Sequence, residues 1–148
     1  MRENYRDRAV VIRSYDFGEA DRVIVLLTRD HGLVRAVAKG VRRAKSRFGS
    51  RLQLFVNLDV QLYVGKNLAT ISQADTVDYF GARLIEDYER YTAACAVLES
   101  AERLAFADAA QDPYLYDSVT ATLEQLQTAD PTMALDAFLL QALSLIHI

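Results

Sequence analysis

The hydrophobic periodicity of the chain changes near residue 80, and this change restricts the fold to classes that join a β-sheet to helices. From Leu52 onward apolar residues alternate strictly with others, and those on one face are Leu52, Leu54, Val56, Leu58, Val60, Leu62 and Val64. After Gly81 the apolar spacing becomes four and three, in the order Leu84, Tyr88, Tyr91, Cys95 and Leu98. A period of two predicts a strand with one buried face, and the later spacing predicts a helix.

Three more short runs predict strands ahead of the long one. They are Arg8 to Tyr15, Arg22 to Thr28 and Leu33 to Lys39, separated by the turn sequences "DFGEAD" and "RDHG". Gly65-Lys66-Asn67 predicts a turn into a fifth strand near Leu68 to Ala74. Five strands in so short a segment predict a small barrel, because closure removes the exposed strand edges.

Two Asp-Pro pairs predict the starts of two further helices, since aspartate is a good N-cap and proline fits the first helical position. They are Asp112-Pro113 and Asp130-Pro131. The expected core residues are Leu115, Val119, Leu123 and Leu126 in the first helix, and Leu135, Ala137, Phe138 and Leu139 in the second. Cys95 lies on the apolar stripe of the preceding helix, which favours a packed thiol over a reactive one.

The charge is distributed unevenly along the chain, although the net charge is only -3. Residues 1–80 carry 14 Lys and Arg against 9 Asp and Glu, whereas residues 81–148 carry 3 against 11. This asymmetry predicts an electropositive part joined to an acidic one, and the basic part is the candidate for binding a polyanion.

The basic charge is concentrated in the segment "KGVRRAKSRFGSR", residues 39–51, which contains no acidic residue. Lys and Arg neutralise phosphates and an aromatic ring can stack on an unpaired base, so the segment predicts a DNA-binding loop. The candidate DNA-binding residues are Arg35, Lys39, Arg42, Arg43, Lys45, Arg47, Phe48 and Arg51. Two alternatives stay open: the segment is a solvated loop, or Phe48 packs on the barrel core.

Catalytic and metal-binding patterns are scarce, so enzyme activity is not expected. The two histidines are His31, in a predicted turn, and His147. Asp16, Glu19 and Asp21 cluster in the first turn, but nearby Arg13 and Arg22 can balance their charge. The sequence has one cysteine, whereas a zinc site needs about four ligands. No apolar run is long enough to span a bilayer and no secretory signal is present, so a cytoplasmic location is expected.

Several short motifs together resemble the RecO family of recombination mediators, especially its actinobacterial members. They are "GEADR" from Gly18, "TRDHG" from Thr28, "AKGVRR" from Ala38 and "KSRFG" from Lys45, followed by the strand that ends "QLY". The resemblance continues through "YERYTAACAVLESAERL", which begins at Tyr88, and so covers nearly the whole chain.

The resemblance implies an α+β protein with an N-terminal five-stranded OB-fold barrel in residues 1–80 and an α-helical domain in residues 81–148. It implies a non-catalytic DNA repair protein that binds single-stranded and duplex DNA, anneals complementary strands and helps to load recombinase on coated strands. The implied partners are RecR and single-stranded-DNA-binding protein, and the implied location is the bacterial cytoplasm, in association with the nucleoid. Neither a catalytic residue nor a cofactor is implied.

The chain departs from the family pattern at its end. Many relatives continue into a four-cysteine zinc module and further helices, so the expectation is a truncated helical domain whose zinc ligands lie beyond this sequence. The last six residues, "LSLIHI", resemble translated sequencing-library DNA and are expected to be foreign. Such a truncation is expected to leave apolar surface uncovered around Phe138, Leu139, Leu140 and Leu143.

Three functions remain open from the sequence. The favoured one is a recombination mediator that binds DNA. The second is a protein-interaction adaptor that acts through its acidic helical half without binding DNA directly, and the third is a metal enzyme that uses the acidic turn.

We predict that the basic segment contributes about four phosphate contacts. If so, log affinity for a single strand falls against log salt with a slope of roughly −3. Replacing Arg42, Arg43, Lys45 and Arg47 by Ala should flatten this slope and weaken binding to all sequences alike, because phosphate contacts carry no base information. Fluorescence anisotropy across a salt series measures both effects, and an unchanged slope would contradict a DNA-binding role for the segment.

Overall fold

The computed structural model describes residues 4–42, 48–107 and 114–146. The strands are β1 (Asn4–Phe17), β2 (Asp21–Thr28), β3 (Leu33–Ala38), β4 (Val56–Tyr63) and β5 (Ala69–Tyr79). A short 3-10 helix, Gly49–Leu52, precedes β4. The α-helices are α1 (Gly81–Leu84), α2 (Tyr88–Ala107), α3 (Tyr114–Gln125) and α4 (Pro131–Ile146).

The five strands of the described residues form a closed barrel in the order β1-β2-β3-β5-β4, with β4 also pairing with β1. The β3–β5 pair is parallel, and the other neighbours are antiparallel. This is the strand arrangement of an OB-fold barrel. Helices follow the barrel in the chain, so the predicted α+β fold class is confirmed.

The barrel interior is filled by alternating side chains from all five strands. The largest side chains that the strands contribute come from β2 and β4, where Ile24, Leu26, Leu58 and Leu62 are fully buried. The strict alternation predicted for β4 is observed, because Asn57, Asp59 and Gln61 occupy the opposite face. The apolar face of β4 therefore supplies one wall of the barrel core.

A second hydrophobic core lies between the outer face of the barrel and the helices. Val10 and Ile12 of β1 and Val25 and Leu27 of β2 point away from the barrel interior and are buried against helical residues. Helix α2 lies against β1, β2 and β3, and α3 lies against β1. Strands β1 and β2 are thus apolar on both faces, because the interior covers one face and the helices cover the other.

Polar contacts also cross this junction. The Tyr116 hydroxyl of α3 donates to Asn57 Oδ1 of β4 at 2.8 Å, and both side chains are buried. The Arg13 guanidinium of β1 binds the Glu102 carboxylate of α2 in a bidentate manner, with Nη2 to Oε2 at 2.8 Å and Nε to Oε1 at 3.0 Å. These contacts fix the helices on the barrel in one orientation, because each requires a specific pairing of donor and acceptor.

The predicted beginning of the long strand at Leu52 is wrong. Leu52 ends the 3-10 helix, and the strand begins at Val56. Phe55 has a φ of 69°, in the left-handed region, so its backbone cannot continue an extended strand. Its ring is buried in the core between barrel and helices and lies edge-on to Tyr91, with ring centroids 5.9 Å apart.

The predicted helix from Leu84 to Leu98 is interrupted. Helix α1 ends at Leu84, and α2 begins at Tyr88 with Asp87 as its N-cap. The Asp87 carboxylate accepts from the backbone amides of Glu89 at 3.0 Å and Arg90 at 3.3 Å. Tyr88, predicted to lie on the buried stripe, is instead 83% exposed, because the new helix start changes which face is buried.

The Asp130 cap is confirmed, since its Oδ1 accepts from Thr132 N at 2.9 Å and Met133 N at 3.3 Å. Asp112-Pro113 lies outside the described residues. The predicted α3 core of Leu115, Val119 and Leu123, together with Leu126 just beyond the helix, is buried.

Helix α4 follows the prediction only in part. Phe138 is buried and Leu135 and Leu139 are half-buried, but Ala137 is exposed on the other side of the helix. Phe138 therefore does not belong to the expected uncovered surface, whereas Leu140 is 70% exposed and Leu143 is 50% exposed. Within the described ranges no helix is long and apolar enough to cross a membrane.

We predict that Tyr116→Phe destabilises the protein. The substitution leaves the buried Asn57 oxygen without its donor, which typically costs about 1–3 kcal/mol. Urea unfolding measures the loss. Tyr88→Phe is the matched control because it removes the same hydroxyl from an exposed ring, and it should cost about 0.5 kcal/mol or less. Equal losses in the two variants would show that this bond does not hold α3 on the barrel.

The same tyrosine predicts a change of stability at alkaline pH. Burial raises the pKa of the Tyr116 hydroxyl above its ordinary value, so this group ionises first in the unfolded chain. Its contribution to stability is present below about pH 10 and is lost as the pH rises toward the higher pKa of the folded state. Unfolding measured across this range should therefore show a shallower alkaline loss in Tyr116→Phe than in the wild type.

Candidate nucleic-acid interface

Five of the eight candidate DNA-binding residues lie in the described part of the chain. They are Arg35, Lys39, Arg42, Phe48 and Arg51. Arg43, Lys45 and Arg47 lie outside the described residues, so their role stays a prediction.

Arg35 lies on the outer face of β3, and Lys39 is the first residue after the end of that strand. Arg35 is directly opposite Val25 of β2, whose side chain points outward, so Arg35 also points away from the barrel interior. Arg35 and Lys39 are both exposed. Within residues 4–42, 48–107 and 114–146 neither side chain forms an ion pair, so their charges face solvent.

The start of the basic segment is fixed to the turn between β1 and β2. Arg42 N donates to Ala20 O at 3.0 Å, and Arg42 Nη1 donates to Gly18 O at 3.1 Å. Just after this turn, Asp21 Oδ1 accepts a hydrogen bond from Gly40 N at 2.7 Å. Gly40 has a φ of 69°, which allows the chain to turn sharply after β3. Residues 40–42 therefore lie beside the β1–β2 turn at one end of the barrel.

The acidic residues at the β1–β2 turn help to hold the start of the basic segment. Asp16 lies between two cations, with Arg22 Nε at 3.3 Å and Arg42 Nη1 at 3.8 Å from its carboxylate oxygens. Asp21 binds the Gly40 amide, and Glu19 is exposed. Of the two arginines expected to balance the turn, Arg22 does so, whereas Arg13 pairs with Glu102 instead. That pairing raises the pKa of Arg13 through its hydrogen bond with the Glu102 carboxylate.

Metal coordination is not supported by the donor groups. Across the described residues no cluster of three or more His, Cys, Asp and Glu side chains could hold a metal ion. The single cysteine of the sequence cannot form a four-cysteine zinc site.

Phe48 does not lie on the surface as a stacking platform. Its side chain is 4% exposed and packs in the barrel core with Leu52 and Val56. The structure therefore supports the alternative in which the ring closes one end of the barrel, and the predicted base-stacking role of Phe48 is wrong. The physical reason is that a ring this deeply buried cannot also present a face to a base.

Arg51 is exposed and lies in the 3-10 helix, on the β5 side of the barrel. Its Nη1 donates to Ala74 O at a distance of 3.5 Å. Beside it is an open cavity of about 300 Å³, lined by Phe48, Arg51, Ser72, Gln73, Ala74 and Asp75. Ser72, Gln73 and Asp75 could not be predicted as lining residues, because polar residues near the end of a predicted strand carry no signal of a cavity.

His31 helps to fix the β2–β3 turn. Its Nδ1 lies 2.7 Å from Oδ2 of Asp7, whose side chain is only 1% exposed. The same Asp7 carboxylate accepts from the backbone amides of Arg8 at 2.7 Å and Asp30 at 3.1 Å. Asp7 thus holds the β2–β3 turn against β1, and the Tyr5 ring stacks against His31 with ring centroids 4.1 Å apart. Burial, together with the nearby Asp7 charge, raises the pKa of Tyr5.

Cys95 is half-buried and packs against the core between barrel and helices, as expected for a packed thiol. It also lines an open groove of about 630 Å³ between β1 and α2, with Ile12, Leu54 and Leu98 as the apolar lining. A hydrogen bond to Cys95 raises the pKa of the Tyr91 hydroxyl.

Comparison with protein families matches both parts of the chain. Residues 1–80 match the family described as recombination protein O N terminal, and residues 85–146 match recombination protein O C terminal. The first match covers the barrel together with its basic segment, and the second covers α2, α3 and α4. The chain therefore belongs to the RecO family, and its role lies in DNA repair and recombination.

Proposed function

We propose that the chain binds single-stranded DNA through one end of its barrel and acts as a recombination mediator. The observation that carries this proposal is the exposure of Arg35, on the outer face of β3, and of Lys39, which follows that strand near the β1–β2 turn, with no carboxylate paired to either cation within the described ranges. Unpaired surface cations can neutralise phosphates without first breaking an internal ion pair.

The barrel provides a rigid support for this surface. OB-folds commonly bind oligonucleotides through the face of strands 2 and 3 and through adjacent loops. Here α2 and α3 cover much of the outer face of β1 and β2, while Arg35 of β3 and Lys39 just after it are exposed. The DNA path that we propose therefore runs along β3 and across the start of the basic segment.

The mediator role extends this binding function. We propose that the chain anneals complementary strands, binds duplex as well as single-stranded DNA, and assists recombinase loading together with RecR and single-stranded-DNA-binding protein. Neutralising phosphates on two strands lowers their mutual repulsion, which favours annealing. The proposal includes no catalytic step and no cofactor, and it places the protein in the bacterial cytoplasm at the nucleoid.

A protein-docking function is the second candidate, and the outer side of α4 favours it. Met133 and Leu140 are 71% and 70% exposed. Exposed apolar side chains that share one helix often mark a protein-binding surface. As an adaptor, the chain would bind proteins through this surface without binding DNA itself.

We predict that replacing Arg35 and Lys39 by Ala weakens DNA binding and its salt dependence together. If each cation contacts one phosphate, the slope of log affinity against log salt becomes shallower by about 1.4 for a single strand. Replacing Arg83 and Arg103 by Ala removes the same charge from exposed positions on the helices and is the matched control. An equal effect from both pairs, or no salt-dependent binding in the wild type, would contradict the proposed site.

We also predict that Asp21→Ala lowers DNA affinity even though it removes a negative charge. The reason is that Asp21 holds the Gly40 amide and with it the start of the basic segment. Glu19→Ala, in the same turn, removes an equal charge from an exposed side chain without that contact and should leave affinity unchanged or slightly raised. Anisotropy titrations at one salt concentration separate the two variants, and a rise in affinity for both would show that this attachment does not matter for binding.

A further inference from the structure

The β2–β3 turn presents an exposed imidazole ring just before β3 begins. The side chain of His31 is 44% exposed, although its Nδ1 lies 2.7 Å from the buried Asp7 carboxylate. The Tyr5 ring, which packs against the barrel core, lies on one side of the imidazole, with an angle of 35° between the ring planes. The exposed surface of the imidazole therefore faces away from Tyr5.

The imidazole is held in one position by the backbone of the turn. His31 N donates to Thr28 Oγ1 at 2.9 Å, and the same hydroxyl donates to Gly32 O at 2.7 Å. Thr28 N also donates to Gly32 O at 2.9 Å, and Gly32 has a φ of 68°. Together with the bond to Asp7, these contacts fix both the main chain and the side chain of His31. A ring that is already fixed loses little conformational entropy when a ligand stacks on it.

Exposed cations accompany this ring. Arg29, in the same turn, donates its backbone N–H to Arg8 O at 2.9 Å, and both arginine side chains are exposed. Among the residues that the structure describes, neither arginine forms an ion pair. Asp30 is also exposed in the turn, so a phosphate is disfavoured at its tip, whereas an uncharged base is not. An aromatic ring beside cations is typical of sites for single strands.

The turn lies at one end of the DNA path that we propose along β3. This strand begins at Leu33, just after the turn, and ends at Ala38, just before Lys39. Its 6 residues span roughly 20 Å, and Arg35 lies between its two ends on the outer face. A DNA strand that contacts Lys39 and Arg35 and continues along β3 therefore reaches the β2–β3 turn.

We propose that His31 is a stacking platform for one unpaired base of the DNA strand that follows β3. This inference rests on the proposed DNA-binding function. Every base has a face that can stack on an aromatic ring, so the site adds affinity for single strands without selecting a sequence. It supplies the stacking that the buried Phe48 ring cannot provide.

The test uses two substitutions that separate the ring of His31 from its hydrogen bond. His31→Asn keeps an N–H donor for Asp7 and removes the ring, whereas His31→Phe keeps a ring and loses the donor. The probes are oligothymidines that carry 2-aminopurine at successive positions, because stacking quenches the fluorescence of this base. His31→Asn should lose quenching and about fivefold or more in affinity, which is the lower end for one stacked base. His31→Phe should retain both.

Stability measurements distinguish stacking from a purely structural role. Loss of the donor to buried Asp7 should make His31→Phe less stable to urea than His31→Asn, which is the opposite order to the affinities per folded molecule. Tyr88→Asn is the matched control, since it removes an 83% exposed ring from α2 and should change neither affinity nor quenching.

Two results would overturn the stacking platform and leave the proposed function standing. One is an unchanged affinity in His31→Asn, and the other is a larger loss of affinity in His31→Phe than in His31→Asn. The absence of salt-dependent DNA binding by the wild type would overturn both the platform and the proposed function.

Discussion

The rest of the structure depends on the burial of the outer face of β1 and β2 by helices. Val10, Ile12, Val25 and Leu27 lie outside the barrel and would expose a continuous apolar surface without α2 and α3. Because the helices cover this side, the barrel presents its remaining outer face, near β3 and β5, to solvent. The hydrophobic junction thus determines which side of the barrel is available to a ligand.

At the exposed end of the barrel, the acidic residues of the first turn organise the basic segment. Asp21 binds the Gly40 amide, and Asp16 lies between Arg22 and Arg42. Part of the positive charge therefore serves to fix the two loops together, whereas Arg35 and Lys39 remain exposed for an external anion. Acidic and basic residues that are close in the sequence therefore have different roles at one surface. The carboxylates hold the loops, and the exposed cations face solvent.

Much of the fold could be predicted from the sequence, because hydrophobic periodicity is a local property of the chain. The alternation of Leu58, Val60 and Leu62 predicted a half-buried strand, and the Asp130-Pro131 pair predicted a helix start. The apolar run of β1 is also a sequence signal, since a strand without alternation indicates that both of its faces are buried. The errors occur where backbone geometry overrides the pattern, at the positive φ of Phe55 and at the Asp87 cap.

By itself, the sequence determined the class of fold, the uneven distribution of charge and the segment in which the cations are concentrated. Only the tertiary structure decided which of those residues are exposed at the surface. Phe48 is buried in the barrel core, and Arg42 is held by Asp16 and Gly18. The cavity beside Arg51 is lined by residues of the 3-10 helix and of β5, which are distant in the sequence. The physical reason is that periodicity and charge are set by neighbours along the chain, whereas exposure and pairing are set by residues that the fold brings together from distant positions.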